Sequence, residues 1–223
     1  MTSHRSAVGA ALVVCMATIG CGGSQKAVST APRPATVHGD IASAKPDSNR
    51  FAFTEADVRF MSGMISHHAQ AIAMAKLVPE RTETQSIRTL AGRVINAQAD
   101  EIAIMSTWLK DRGQPVPEPD PKGMKMMHGG QEHVMRMPGM LTDEQMKQLE
   151  GARGAQFDKL FLQLMIQHHR GAVSMVKDLF NSYGAGQDET VFKFASDVNV
   201  DQTTEIARME RMLFAITIEN RAP

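Results

Sequence analysis

The sequence Phe-Met-Ser-Gly-Met-Ile-Ser-His-His occupies residues 60–68, and a second copy, Phe-Leu-Gln-Leu-Met-Ile-Gln-His-His, occupies residues 161–169. The copies lie 101 positions apart, and the same offset carries Met74 onto Met175. Each histidine pair follows a methionine by about one helical turn. The repeat indicates that the chain contains two copies of one structural unit, each built around a histidine pair.

A second repeated stripe follows each histidine pair. Its members step along the chain by four and three residues alternately, which is the spacing of one face of an α-helix. The stripe consists of Ile87, Ala91, Val94, Gln98, Glu101, Met105 and Trp108 in the first copy, and of Val191, Ala195, Val198, Gln202, Glu205, Met209 and Met212 in the second. Each copy therefore contains two helices, and the short connection between them makes the pair antiparallel.

Capping residues, glycines and prolines set the helix limits. Thr54 and Thr142 are suited to begin helices, whereas Pro79 and Gly113 follow the ends of others. We expect four long helices near residues 54–78, 85–111, 154–181 and 188–219, and a short helix at about 143–150. No segment alternates convincingly as a strand. The predicted fold class is therefore all-α: a four-helix bundle made of two repeated antiparallel hairpins, 54–111 and 154–219.

The N-terminal residues predict export. An apolar run at residues 7–19 is too short to span a bilayer but matches the core of a signal peptide. Because the run ends at Gly20 and Cys21, as in a lipobox, residues 1–20 are expected to be a signal peptide and Cys21 to be lipidated. An ordinary secretory signal is the alternative. Residues 21–50 have few large apolar side chains and are expected to form a disordered tether, which makes the protein a membrane-anchored lipoprotein of the bacterial envelope, in the periplasm.

The composition excludes several classes of partner. Lys and Arg total 24, and so do Asp and Glu, which leaves no net charge to attract nucleic acid or an anionic membrane. Aromatic residues are only 5% of the chain, too few for a base-stacking surface. We therefore expect no nucleic-acid partner, and membrane contact only through the lipid anchor.

The histidine pairs and the polar members of the stripes predict a metal site in the bundle. His67 and Gln98 lie at similar distances from the first hairpin loop, so they reach the same level of an antiparallel pair. A carboxylate on an apolar helix face is costly unless it is paired or bound to metal. The predicted ligands are His67, His68, Met64, Met74, Gln98, Glu101 and Met105 in the first copy, and His168, His169, Met165, Met175, Gln202, Glu205 and Met209 in the second. The alternative is that the histidines are core residues without a metal.

The linker between the hairpins, residues 112–141, is a second candidate for metal binding. It is rich in methionine and histidine, and its polar surroundings argue against a core role for these side chains. The candidate ligands are Met124, Met126, Met127, His128, His133, Met135, Met137 and Met140. We expect a flexible segment that binds Cu(I) more weakly than the bundle, because its ligands must be ordered on binding. The alternative is a connector with an accidental methionine bias.

The Met-Ile-x-His-His segments, the Gln-x-x-Glu-Ile pieces and the Met-Pro-Gly-Met linker sequence resemble the bacterial family called domain of unknown function 305. The resemblance covers residues 51–219. It implies a ferritin-like four-helix architecture, export and, in some members, copper binding by Met and His outside the cytoplasm.

These observations predict an extracytoplasmic copper-binding protein that sequesters, stores or transfers the metal. Thioethers suit Cu(I) and imidazole accepts both oxidation states, so Cu(I) is expected first, then Cu(II), with iron or zinc less favoured. A copper-handling protein is the expected partner. One alternative is a carboxylate and histidine di-metal redox enzyme, although the domain contains no Glu-x-x-His motif. Another is a structural bundle without metal, and an enzyme is the less favoured assignment.

Overall fold

The computed structural model describes residues 53–219. The predictions for the signal peptide, Cys21 and the tether lie outside the described residues. Six helices and two short strands make up the described part of the chain: α1 Glu55–Lys76, α2 Val78–Arg81, α3 Gln85–Asp111, β1 Met124–His128, β2 Gln131–Met135, α4 Asp143–Gly151, α5 Gly154–Asn181 and α6 Glu189–Glu219. The predicted all-α fold class is confirmed, since helices dominate the described residues.

The two hairpins pack through their first helices. Helix α1 packs along α3, α5 packs along α6, and α1 and α5 pack against each other at the centre. Among the described helices, α3 and α6 do not pack closely on one another. Helices α1 and α5 therefore carry the most deeply buried side chains, and one side of the bundle, between α3 and α6, remains open. Within residues 53–219, no helix combines the length and apolar character needed to cross a membrane.

Two aspartates at helix starts tie the hairpins together. Asp57 completes the capping box of α1, and its other oxygen, Oδ1, accepts a hydrogen bond from the backbone N–H of Gly186 at 2.7 Å. Its counterpart Asp158 accepts a hydrogen bond from the Thr84 hydroxyl at 2.6 Å. Each aspartate thus fastens a loop of the other hairpin. Both carboxylates therefore have structural partners, and neither is among the predicted metal ligands.

The linker contains an antiparallel β-hairpin, so the expectation that no segment forms a strand is wrong here. Strand β1 pairs with β2 from Met124 opposite Met135 to His128 opposite Gln131. The turn consists of Gly129 and Gly130, whose φ angles are 59° and 82°. Two residues with positive φ form the turn that matches the twist of a two-stranded ribbon.

The end of the linker is held against the bundle. Gln70 of α1 accepts a hydrogen bond from Leu141 N–H at 2.6 Å and donates one to the Leu141 carbonyl at 3.1 Å. The backbone at Pro138 and Gly139 then crosses α5 at Gly171, where a side-chain carbon would overlap the Pro138 carbonyl. Because Gly171 has no side chain, the linker backbone can approach α5 closely enough to reach the middle of the bundle.

Candidate metal centre

Four buried histidines occupy the middle of the bundle. His67 and His68 on α1, and His168 and His169 on α5, have no exposed surface. The rings of His67 and His168 meet between the two helices, with 3.8 Å between their centroids and 38° between their planes. Within each pair, the two rings lie about 6 Å apart, at 6.1 Å on α1 and 6.2 Å on α5. The fold therefore brings together all four histidines that the repeated motif singles out.

His68 and His169 each meet a glutamate of the neighbouring helix. His68 Nε2 lies 2.7 Å from Glu101 Oε2, although the two groups are not aligned as a hydrogen bond. His169 Nε2 and Glu205 Oε2 form a hydrogen bond, also at 2.7 Å. The glutamate side chains remain 17% and 25% exposed. Each glutamate therefore connects a fully buried imidazole to the open side of the bundle.

His67 and His168 are electrostatically suited to bind a cation. Burial lowers the pKa of His67 well below its ordinary value of 6.5, and repulsion from His68 and His169 lowers it further. Burial also lowers the pKa of His168 well below 6.5, followed by repulsion from the other three histidines. A neutral imidazole keeps one nitrogen lone pair, which is what a metal ion requires.

The linker determines which nitrogen of His67 is free. His67 Nε2 lies 3.1 Å from the carbonyl oxygen of Pro138. Because a carbonyl can only accept, Nε2 carries the proton in this contact, and the lone pair falls on Nδ1. Among the described residues, His67 Nδ1 and both ring nitrogens of His168 have no hydrogen-bond partner although they are buried. Because a neutral imidazole has one nitrogen lone pair, His67 Nδ1 and one of the two ring nitrogens of His168 are the strongest candidate ligand atoms in the bundle.

The six predicted bundle methionines fall into two groups, one in each half of the core. All six are buried or nearly so, with Met175 the most exposed at 8%. One core cluster contains Met64, Met105 and Met175, and the other contains Met74, Met165 and Met209. We call these groups the methionine triads. Each triad takes two members from one hairpin and one from the other, and the repeat converts one triad into the other. Met64 and Met74, predicted as ligands of one site, therefore lie in different halves of the core.

The open side of the bundle contains a cavity of about 190 Å³. Gln98 and Gln202 line it and are 2% and 3% exposed, yet both Gln98 amide atoms and Gln202 Oε1 lack a hydrogen-bond partner among the described residues. Glu101 and Glu205 line the same cavity. The Gln and Glu members of both stripes therefore converge on one space, which we call the α3–α6 cavity.

Asp201 also lines the α3–α6 cavity, and the sequence analysis did not single it out. Burial, followed by the negative charge of Glu101, Asp197 and Glu205, raises the pKa of Asp201 above its ordinary value of 3.8. Ala97 occupies the equivalent position in the first copy. A comparison of the two copies that looks for matching residues therefore does not identify Asp201. Three carboxylates thus line the more exposed part of one cavity, which we call its mouth.

The linker ligands divide between the bundle and the surface. Met140 is buried and Met137 is half-buried; the Met137 sulfur passes close to Gly63, beside Met175. The β-hairpin residues face solvent more, with Met127 at 68%, Met126 at 44% and Met135 at 42%. Cross-strand pairing sets Met124 opposite Met135 and Met126 opposite His133 on one face of the hairpin. The last part of the linker belongs to the bundle site, and the β-hairpin is separate from it.

The described residues contain no cluster of three or more His, Cys, Asp or Glu side chains already placed around one point. The geometry explains why: the rings of His67 and His168 lie against each other at a tilt of 38°, and the remaining histidines turn to their glutamates. A metal ion in the bundle would need ring rotation, methionine sulfur or both.

A duplicated helical protein with four buried histidines and two buried methionine triads is the class that the fold and site define. The model of the family Domain of unknown function (DUF305) matches residues 57–213, more than half of the chain. The chain therefore belongs to the DUF305 family, as the repeated histidine motif predicts.

Solved structures resemble the chain along most of its length. A DUF305 protein of Streptomyces coelicolor is 33% identical, with 73% of this chain and 94% of that chain covered and a TM-score of 0.60. A DUF305 fragment of Deinococcus radiodurans is 30% identical, with 73% and 98% covered and a TM-score of 0.60. CopM in its Cu(II)-bound form is 28% identical, with 71% and 96% covered and a TM-score of 0.55.

A shorter match links the chain to an uncharacterized protein of Acanthamoeba polyphaga mimivirus. The two are 39% identical over 56 residues, which is 25% of this chain. The match spans only 37% of the mimivirus protein. This similarity is therefore confined to about one hairpin's length of sequence.

Proposed function

We propose that this protein binds copper inside its helical bundle, with histidine nitrogens and methionine sulfurs as ligands. The observation that carries the proposal is the group of buried histidine nitrogens that have no hydrogen-bond partner among the described residues, which includes His67 Nδ1 and both ring nitrogens of His168. A buried polar atom without a partner costs about 1–3 kcal/mol. A metal ion supplies the missing partner, and the lowered pKa values of both residues keep them unprotonated for that role.

The chemistry of the surrounding side chains favours copper over harder metals. Methionine thioethers are soft ligands suited to Cu(I), and imidazole binds both Cu(I) and Cu(II). Each half of the core next to the histidines contains a methionine triad. The relative CopM is described in Cu(I)-bound, Cu(II)-bound and silver-bound forms. Silver(I) is a soft ion, so these forms match the ligand types of this bundle.

Glu101 and Glu205 support the site from the open side of the bundle. A carboxylate that accepts a hydrogen bond from an imidazole fixes its orientation and tautomer, and losing such support weakens metal binding about 10–100-fold. His169 and Glu205 have this arrangement. Glu101 at His68 would complete the equivalent contact when the ring turns into line, and both Glu and Gln side chains stand within the same cavity.

The β-hairpin would form a weaker, exchangeable copper site. Met124, Met126, His133 and Met135 share one of its faces, so soft ligands from both strands can meet one ion. Their exposure favours exchange with a copper-handling partner, for storage, sequestration or transfer. Deleting residues 124–135 should lower the Cu(I) stoichiometry and leave helicity intact. An unchanged stoichiometry would reduce the β-hairpin to a connector.

The site of action would be the bacterial envelope. The Streptomyces coelicolor relative is presumed to be a secreted protein, and the N-terminal sequence of this chain has the features of a lipoprotein signal ending at Cys21. Replacing this cysteine (C21S) should release the protein from membranes and abolish lipid labelling. A wild-type protein without lipid would contradict the anchor and leave copper binding untouched.

The double variant His67→Ala, His168→Ala tests the bundle site. It removes the proposed ligand nitrogens of His67 and His168, so Cu(I) affinity should fall by on the order of 100-fold or more, measured by competition with a chromogenic chelator. Lost direct ligands cost at least as much as lost supporting residues. Thermal melting on the same sample reports whether the bundle is still folded. Unchanged copper affinity in a folded double variant would contradict the proposal.

Two methionine variants separate ligand loss from core damage. Met61 and Met64 are both fully buried in the same half of the core, but only Met64 is a proposed ligand. Replacement by leucine nearly conserves volume and usually costs less than about 1.5 kcal/mol. Met64→Leu should weaken Cu(I) binding, whereas Met61→Leu should leave it unchanged. Equal effects would mean that packing, not sulfur ligation, sets the affinity.

A further inference from the structure

We infer that the mouth of the α3–α6 cavity is a separate binding site for a divalent cation, formed by Asp201 with Glu101 and Glu205, through which metal reaches the buried histidines. The passage of metal from this site to the buried histidines rests on the proposed copper site. The cation site itself rests on the residues that line the cavity; their three carboxylates are not already gathered around one point and would close on the ion as it binds.

The first observation is the position of the three carboxylates. All three line one cavity, Glu101 from α3 and Asp201 and Glu205 from α6. Carboxylate oxygens are the ligands that hard divalent cations prefer, whereas none of the soft sulfur ligands lines this space. The mouth therefore differs in chemistry from the histidine and methionine interior, and favours Mn(II), Mg(II) or Cu(II) over Cu(I).

The second observation is independent of charge. Gln98 and Gln202 are almost completely buried and line the cavity, and their unpartnered atoms include both Oε1 oxygens. An amide oxygen is a further ligand for a hard cation, and a buried amide without a partner is destabilising unless a ligand or water completes it. The cavity thus combines carboxylates at its mouth with unsatisfied amide oxygens deeper inside.

The third observation is continuity with the histidines. Glu101 and Glu205 have one oxygen each against His68 and His169, at 2.7 Å, and both line the cavity. On the opposite side of the site, the Pro138 carbonyl and the close passage of the linker over Gly171 cover His67. On the α3–α6 side, Glu101 and Glu205 therefore link the lining of the cavity to the buried imidazoles.

Two arginines also line the cavity and weaken its negative field. Arg93 and Arg208 are exposed, and neither forms an ion pair within 4.0 Å among the described residues. Three carboxylates against two guanidinium groups leave the lining negative. Salt screens the exposed arginines and the exposed Asp201 alike, and it screens the half-buried Glu101 and Glu205 less.

Mn(II) tests the cation site without involving the sulfur ligands. Bound Mn(II) is counted from the loss of its free electron paramagnetic resonance signal, at low ionic strength, in the wild-type full chain and in Asp201→Asn. The variant should bind at least tenfold more weakly. The matched control is Asp100→Asn, which removes an exposed carboxylate of α3 that does not line the cavity, and should bind as wild type does. Equal binding by wild type and Asp201→Asn, or no binding by wild type, overturns the site.

Cu(II) uptake tests the connection to the histidines. An oriented negative patch raises association rates by about 10–10³-fold, so Asp201→Asn should slow Cu(II) loading on the order of tenfold in stopped-flow absorbance. A site on the entry path of the metal speeds both loading and release. Release of copper to an external chelator should therefore also be slower in Asp201→Asn. Faster copper release with unchanged loading would make Asp201 a ligand of the buried copper site and would overturn the proposed entry path. Mn(II) binding at the mouth without copper uptake would refute the proposed function and leave the cation site standing.

Discussion

At the scale of single residues, the unusual feature is a pair of histidines held neutral by their surroundings. The ring centroids of His67 and His168 lie 3.8 Å apart, and burial lowers the pKa of both. Two imidazolium ions at this separation would repel strongly, so the fold selects the form that can bind a metal ion. The same effect should make copper binding persist at pH values somewhat below 6.5, where an ordinary histidine becomes protonated.

The lowered pKa values of His67 and His168 predict how the stability of the protein depends on pH. In the unfolded chain both histidines bind protons below about pH 6.5, whereas the folded protein keeps them neutral down to its lower pKa values. The unfolded state then binds more protons, so the free energy of unfolding of the metal-free protein falls as the pH decreases below about 6.5. Urea denaturation between pH 7.5 and 5.5 would measure the slope.

The double variant His67→Ala, His168→Ala should flatten that slope, because it removes the two groups that cause it. The matched control is His133→Ala, which replaces an exposed histidine of β2 and keeps the burial of the pair. A wild-type slope that survives in the double variant would show that other groups govern the acid sensitivity of the fold.

At the scale of elements, the helices are predictable from the sequence because each carries a periodic apolar stripe. The predicted helix near 85–111 corresponds to α3 Gln85–Asp111, whose stripe residues Ile87, Val94 and Met105 are buried. The predicted short helix corresponds to α4 Asp143–Gly151. Periodicity reports burial on one face, and these elements have one buried face each.

The sequence did not predict the β-hairpin because it lacks such periodic burial. All five residues of β2 are exposed, so no apolar face alternates with a polar one. The remaining signal is Gly129-Gly130 between two five-residue runs, which is typical of a tight hairpin turn. The contact of Pro138 with His67 and the crossing at Gly171 depend on residues far apart in the chain, and local pattern contains no information about such contacts.

Replacing Gly171 tests whether the linker backbone packs against α5. A methyl group there would overlap backbone atoms of Pro138 and Gly139, which cannot move as a side chain can. Gly171→Ala should lower the free energy of unfolding by about 1–3 kcal/mol, the usual cost of overpacking. Chemical denaturation would measure it.

Gly92 is the matched control, since it lies in α3 with nothing within 4 Å of an added carbon. Gly92→Ala should raise the free energy of unfolding by about 0.5–1 kcal/mol, because alanine loses less backbone entropy in a helix. A Gly171→Ala protein as stable as the Gly92→Ala protein would mean that the linker does not rest on α5.

At the scale of the whole molecule, duplication explains how the candidate site is assembled. Each copy supplies one histidine pair, one Gln and Glu pair and three methionines, and the packing of α1 on α5 brings the two sets together. The pairing of His68 with Glu101 recurs as His169 with Glu205. The sequence could therefore predict the members of the site, but not that each triad would mix the two hairpins, because that depends on how the copies pack.

The two halves differ where the chain departs from the repeat. The linker covers the site on one side, at His67, and Asp201 stands where the first copy has Ala97. Together these departures give the molecule a closed side and an open, acidic side. A symmetrical bundle would offer a metal ion two equivalent approaches, whereas we propose that the ion enters this one through the α3–α6 cavity.

The central claim, that imidazole and thioether groups of the bundle bind copper, is tested most directly by X-ray absorption at the copper K-edge. Protein loaded with one equivalent of Cu(I) should show both nitrogen scatterers with the outer-shell pattern of imidazole and sulfur scatterers. The imidazole contribution should be lost in a folded His67→Ala, His168→Ala variant. A spectrum with oxygen ligands alone, or one that is the same in wild type and the double variant, would contradict the account.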